Sequence, residues 1–161
     1  MEKLRQLSEK ISLFSEKTVY YILVVMMIVM TLTVIVQVFL RYVFSFSLSW
    51  SEEVARYLMI WVAFLGGSLA LPKGLHIGVE FLITRLSPSA RRRVSIFSKF
   101  MILVFLTYLI VGGFKITWAV RDQSSPALLF SMAYAYLSAP VGGFFMALQT
   151  IHSLVEEWGR R

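Results

Sequence analysis

The run Trp50-Ser51-Glu52-Glu53-Val54-Ala55-Arg56-Tyr57 sets two carboxylates and a guanidinium within two helical turns of one another. Glu52 and Glu53 precede Arg56 by four and three residues, a spacing that puts them on one helical face. Glutamates at a helix start also suit the helix dipole. Arg41, across a short connection, can reach the same place. Two chemistries follow: an ion-pair cluster of Arg41, Glu52, Glu53 and Arg56 that fixes a helical hairpin, or an ion or proton site. Coupling sites in secondary transporters lie near the bilayer midplane among broken helices. This cluster lies at the edge of an apolar segment, so the structural reading is preferred.

The other candidates are thinner. His76 and His152 could serve as axial haem ligands, but His76 precedes a short amphipathic stretch rather than lying within an apolar one. Hydrogen-bonding or interfacial roles suit both better. No phosphate-binding G-x-x-x-x-G-K-[ST] loop occurs, and no nucleophile and base are paired. With no cysteine there is neither a disulfide framework nor a thiolate metal site. The chain is therefore not expected to be an enzyme or to carry a cofactor.

Two stripes of small residues are more informative. Gly66, Ala70 and Gly74 recur every four residues, as do Ala135, Ala139, Gly143 and Ala147. In lipid, helices associate through close approach at small side chains rather than by hydrophobic drive. These positions read as packing faces, within the chain or toward another membrane subunit.

The elements that must position these residues follow from composition. Hydrophobic residues make up 58% and charged residues 16% of the 161, against about 25% charged in an ordinary soluble domain. Lipid must solvate much of this surface. A span needs about 20 apolar residues. Four stretches qualify: 19–41, whose apolar run is too long for a cleaved signal peptide; 51–71, closed by Pro72; 94–118; and 130–154, with a kink expected at Pro140 near its middle. Leu4, Leu7, Ile11 and Phe14 suggest an interfacial amphipathic helix over 1–18 that turns into the first span, and 76–86 suggests a second.

Charge sets the orientation. Of the 16 Lys and Arg, Lys3, Arg5, Lys10, Lys17, Lys73, Arg85, Arg91, Arg92, Arg93, Lys99, Arg160 and Arg161 fall on one side, leaving Arg41, Arg56, Lys115 and Arg121 for the other. Basic residues are retained in the cytoplasm, so the expectation is an all-α protein of the bacterial inner membrane with four transmembrane helices and cytoplasmic termini. The same sorting explains the net charge of +7 without nucleic acid.

The order of features resembles the small membrane subunit (Q, or DctQ-type) of tripartite ATP-independent periplasmic transporters. The matching pieces are Gln37 to Tyr42 with Arg41, Ser49-Trp50-Ser51-Glu52-Glu53 with Arg56-Tyr57 and Trp61, and Phe64-Leu65-Gly66. They continue through Gly74-x-His76-Ile77-x-Val79-Glu80, Ser125-Pro126-Ala127-Leu128 and Ala139-Pro140-Val141-Gly142. The resemblance implies a non-catalytic subunit beside a large polytopic subunit that carries the substrate and sodium sites. A periplasmic binding protein would deliver an organic acid such as sialic acid or a C4-dicarboxylate. Arg121, Asp122, Ser124 and Ser125, on a loop read as periplasmic, are candidates to touch that protein. The alternatives are a membrane anchor for a respiratory or haem enzyme and a self-sufficient homodimeric transporter.

Overall fold

The computed structural model describes residues 2–70 and 87–159, and within them all side chains except those of residues 2–5, 7, 88–89 and 158–159. The second interfacial helix expected at 76–86, with Gly74 and His76, lies outside the described residues. Every extended element described is helical: α1 (Glu2–Phe44), α2 (Ser49–Ala70), α3 (Pro88–Ala119), the single turn α4 (Ala133–Tyr136) and α5 (Ser138–Gly159). Among the described residues, three helical stretches, Ser8–Phe44, Ser49–Ala70 and Ala90–Ala119, are long and apolar enough to cross a membrane.

The first helix differs from expectation. It runs unbroken for 43 residues, about 65 Å at about 1.5 Å per residue, with no turn between an interfacial part and a spanning part. Nothing between Phe14 and Val19 breaks a helix. Its inner seam is Ser12, Ser15 and Val19, continued by the half-buried Leu23, Met26, Met30, Thr33, Gln37 and Leu40. That alternation of three and four is the seam of a left-handed helix pair. In the described part of 1–18 the serines turn toward the protein and the apolar residues turn outward. Ser12 and Ser15 are each 6% exposed, whereas Phe14 is 75% exposed and Ile11 is exposed too. Water does not decide which face is inside; the polar end of α5 does.

Helix α5 is the hub, packed on α1, α2 and α3, while α1 also lies along α2. Ser138, Pro140, Gln149 and Thr150 of α5 are all buried. Its buried polar residues meet neighbouring helices instead of lipid. The stretch read as one span over 130–154 is subdivided. Phe130 to Met132 belong to a loop, and the helix is interrupted at Leu137. Pro140 lies in the first turn of α5 rather than at mid-helix, and without an N–H it cannot bond to the carbonyl of Tyr136.

The helices alternate in direction. Ser8 and Ser12 of α1 meet His152 and Gln149 of α5, and Arg92 and Lys99 of α3 meet Glu157. The starts of α1 and α3 and the end of α5 therefore share one end of the bundle, the basic end. The α1–α2 connection and the loop after α3 share the other.

Candidate functional site

The site at the loop end is built from the start of α2. Ser51 is buried there and its Oγ donates to the Leu48 carbonyl at 2.6 Å, closing the turn that enters the helix. Two residues on, Glu53 faces inward and is 7% exposed. Its Oε1 accepts the Tyr57 hydroxyl at 2.6 Å. Its Oε2 accepts the backbone amides of Ala127 and Leu128, both at 2.9 Å. The carboxylate thus caps a loop 74 residues downstream. That loop is closed by its own backbone: Ser125 N donates to Phe130 O at 2.7 Å, and Met132 N to Gln123 O at 2.8 Å. Leu129 holds a left-handed φ of 57° at its tip. Trp61 Nε1 adds a second tie from α2, to the carbonyl of Tyr134 at 2.9 Å.

This geometry corrects the ion-pair cluster. Glu53 and Tyr57, four residues apart, share the inward face, while Glu52 and Arg56 share the outward one. Glu52 accepts a bond from Gln37 Nε2 at 3.0 Å. Arg41 and Arg56 are exposed, and among the described residues neither forms an ion pair with either glutamate. With both oxygens of Glu53 committed to protein donors, its chemistry is that of a cap, not of an ion carrier. The candidate loop contacts divide likewise. Arg121, Asp122 and Ser124 are exposed, with the Arg121 guanidinium 4.3 Å from the Trp118 ring centroid and paired to Asp122 at 3.4 Å. Ser125, 1% exposed, lies inside the loop and is unavailable to a partner.

The packing faces are also redistributed. A Cβ on Gly142 would stand 2.6 Å from Phe64 Cβ and 2.9 Å from its carbonyl carbon and oxygen, so α2 and α5 touch backbone to backbone there. Gly113 of α3 receives the ring of Pro140. Gly143 packs on Leu109 and Ile110, and Ala135 is buried, while Ala139 and Ala147 are half-buried. The described part of the first stripe does not face the bundle: nothing lies within 4 Å of a Cβ on Gly66, and Ala70 is exposed. Its neighbour Gly67 makes the contact instead, against Met146. Gly142 belonged to no small-residue stripe. Its signal was its place in the Ala139-Pro140-Val141-Gly142 piece of the family resemblance.

At the basic end, polar pairs join α5 to α1 and α3. Ser12 Oγ donates to Gln149 Oε1 at 2.6 Å and Gln149 Nε2 returns a bond to the Ser12 carbonyl at 3.2 Å. His152 Nδ1 lies 3.3 Å from Ser8 Oγ. Replacing Gln149 by leucine strands the Ser12 hydroxyl and is expected to lower stability by about 1 kcal/mol. Adding Ser12→Ala should restore most of it, because both partners are then apolar. Denaturant titration of the two single variants and the double variant reads the coupling directly.

Glu157 accepts Lys99 Nζ at 2.5 Å and Ser95 Oγ at 2.8 Å, while Lys99 also donates to the Ser153 carbonyl at 3.1 Å. Burial pushes the Glu157 carboxyl up. The Lys99 and Ser95 bonds and the charges of Lys99 and Arg92 outweigh it, leaving the carboxyl below its ordinary 4.5. Its stabilising contribution is complete above that ordinary value and is lost as pH falls through the lowered one. Melting temperature followed from about pH 6 to about pH 3 should therefore drop more steeply in wild type than in Glu157→Gln.

The fold and this site define a small helical membrane protein whose buried polar groups join its own helices and shape one loop. The family model for tripartite ATP-independent periplasmic transporters, DctQ component, matches residues 30–160, and the chain belongs to that family. A protein of Haemophilus influenzae provisionally named a TRAP transporter small permease protein is 28% identical over 143 residues, covering 88% of each chain. The sialic acid TRAP transporter small permease protein of Vibrio cholerae is 27% identical over 105 residues, 65% of this chain and 61% of the relative. The sialic acid TRAP transporter permease protein of Haemophilus influenzae is 32% identical over 92 residues, 57% of this chain but 14% of the relative.

Proposed function

We propose that this chain is the small, non-catalytic membrane subunit of a sodium-coupled importer of organic acids, and that it scaffolds a large polytopic transport subunit. In this reading the chain crosses the bacterial inner membrane four times, the fourth crossing being α4 and α5 together. The basic end faces the cytoplasm, where twelve of the 16 Lys and Arg belong by the positive-inside rule. The capped loop is periplasmic and widens the surface on which a binding protein docks. Substrate selection and sodium coupling reside in the large subunit.

The observation that carries the reading is the commitment of Glu53. The carboxylate at the start of α2, the strongest candidate for ion binding, is spent on three protein donors that shape the loop. Family membership supports the partnership, as does a relative in which the matched part is a small share of a much longer permease protein. The names of relatives support organic acids, sialic acid and C4-dicarboxylates among them, as the substrate class.

Two measurements test it. A mild-detergent pull-down of the tagged chain from its native membrane should recover one large polytopic partner. Recovery of redox subunits, or of this chain alone, would overturn the reading. Joint replacement of the exposed Arg121, Asp122 and Ser124 by alanine should then lower binding-protein-dependent uptake severalfold while leaving the large subunit co-purifying. Unchanged uptake would remove the loop from the docking surface.

A further inference from the structure

The outward positions of α2 are Glu52, Arg56, Met59, Ala63, Gly66 and Ala70, spaced alternately by four and three residues. That is the spacing of a seam against another helix. We infer that this face is where the large transport subunit docks, through a membrane helix that sets a carboxylate opposite Arg56 and packs closely on Ala63 and Gly66. The inference rests on the proposed role of the chain as a transporter subunit, and adds to it the face and the chemistry of the contact.

The charges on this face lack partners. Gln37 of α1 donates to Glu52, which fixes the level at which α1 and α2 meet here. Arg41 is one turn, about 6 Å, nearer the loop end on α1, and Arg56 is one turn farther from it on α2. Both guanidiniums are exposed, and among the described residues neither has a hydrogen bond or an ion pair. Two cations thus flank one carboxylate, and the face has positive charge in excess. From Ser49 to Arg56 is about 10 Å along the axis. A guanidinium at that depth is costly against acyl chains, and pairing with an acid relieves the cost.

The uncharged part of the face is equally unlike a lipid surface. Helix α1 exposes Val25, Ile28 and Ile35, and α3 exposes Phe97, Phe105 and Phe114. Beyond its first turn α2 exposes one large hydrophobic side chain, Met59. Ala63 and Ala70 are exposed, and nothing lies within 4 Å of a Cβ on Gly66. Such a shallow strip admits a second backbone closely, which is how helices associate in lipid.

Charge also selects the occupant. In the proposed topology every copy has the same orientation, so two copies could pair on this face only with their α2 helices parallel, about an axis along the membrane normal. Residues nearest such an axis meet their own counterparts. Arg56 would then face Arg56, and Glu52 would face Glu52, which opposes the contact. A different membrane protein can place an acid opposite Arg56, and the large subunit is the one that the proposed function supplies.

Photo-crosslinking of the full chain in its native membrane tests this, with p-benzoylphenylalanine in place of Met59 on α2 or of Phe105 on α3. The Met59 probe should give an adduct with the large subunit, identified by mass spectrometry, and the Phe105 probe none. Arg56→Glu and Gly66→Leu should each lower recovery of the large subunit in a mild-detergent pull-down by about tenfold or more. The purified chain should melt as wild type in both variants, because neither position touches the bundle. An adduct at Met59 with a second copy, or with lipid alone, would overturn the inference while a wild-type pull-down that still recovers the large subunit leaves the subunit reading standing. Full recovery by both variants would do the same. A wild-type pull-down without any large subunit would overturn both.

Discussion

Gly142→Leu is expected to prevent α2 and α5 from docking, leaving no monodisperse folded protein in detergent. Even alanine would place a methyl 2.9 Å from the Phe64 carbonyl carbon and oxygen, and the backbone of a packed helix cannot retract as a side chain can. Overpacking of this kind costs about 1–3 kcal/mol for a small intrusion, and a leucine multiplies the overlap. The glycines form a graded series that makes the claim specific. Gly113→Ala meets the rigid ring of Pro140 and should be the next most damaging. Gly67→Ala meets only the flexible end of Met146 and should cost little. Gly66→Ala meets nothing and should be neutral or slightly stabilising, since alanine is the better helix former. Thermal unfolding in mild detergent ranks the four. A Gly142→Ala variant as stable as Gly66→Ala would show that the α2–α5 crossing is not fixed at Phe64.

Glu53→Ala should be the most damaging polar substitution. It strands the amides of Ala127 and Leu128 and the hydroxyl of Tyr57 at once. Each buried donor left without an acceptor costs about 1–3 kcal/mol, so the total is on the order of 3 kcal/mol or more. Glu53→Gln keeps one acceptor oxygen but turns an NH2 toward donors, and should fall between. Arg41→Ala and Arg56→Ala should change stability by no more than about 0.5 kcal/mol, because exposed charges without partners contribute little. Hydrogen exchange at Ala127 and Leu128 gives a local readout: both amides should lose protection in Glu53→Ala and keep it in the arginine variants. If Arg56→Ala proves as costly as Glu53→Ala, the group is an ionic cluster after all and the cap is secondary.

The contrast between Glu53 and its neighbours shows how far residue order alone could reach. The glutamates were rightly singled out as unusual so near an apolar stretch. Their partners were misassigned because sequence spacing gives relative positions on a helix but not the rotation of that helix against the others. One residue is about 100° of turn, which separates the inward Glu53 from the outward Glu52. The second partner, a backbone N–H, has no residue-type signature at all. Loop amides become donors to Glu53 only when the chain after α3 folds back over the start of α2.

The serine face of α1 gives the complementary lesson. In water, exposed Ile11 and Phe14 beside buried Ser12 and Ser15 would contradict the usual pattern. Beside a helix that offers Gln149 and His152, with lipid on the other side, it is the favourable arrangement. Hydrophobic periodicity marks the buried face only when the surrounding solvent is polar.

Residue order by itself determined where the long apolar helices run. The expected 19–41 lies within α1, 51–71 matches the described extent of α2 to within about two residues, and 94–118 lies within α3. Transfer into lipid is a sum over local residues and needs no knowledge of neighbours. Tertiary structure alone decided that α5 would be the hub, that Gly142 rather than Gly66 would carry the closest approach, and that Glu53 would hold a distant loop. Those outcomes depend on which faces meet, and in an apolar solvent the faces that meet protein and the faces that meet lipid are built from the same residues.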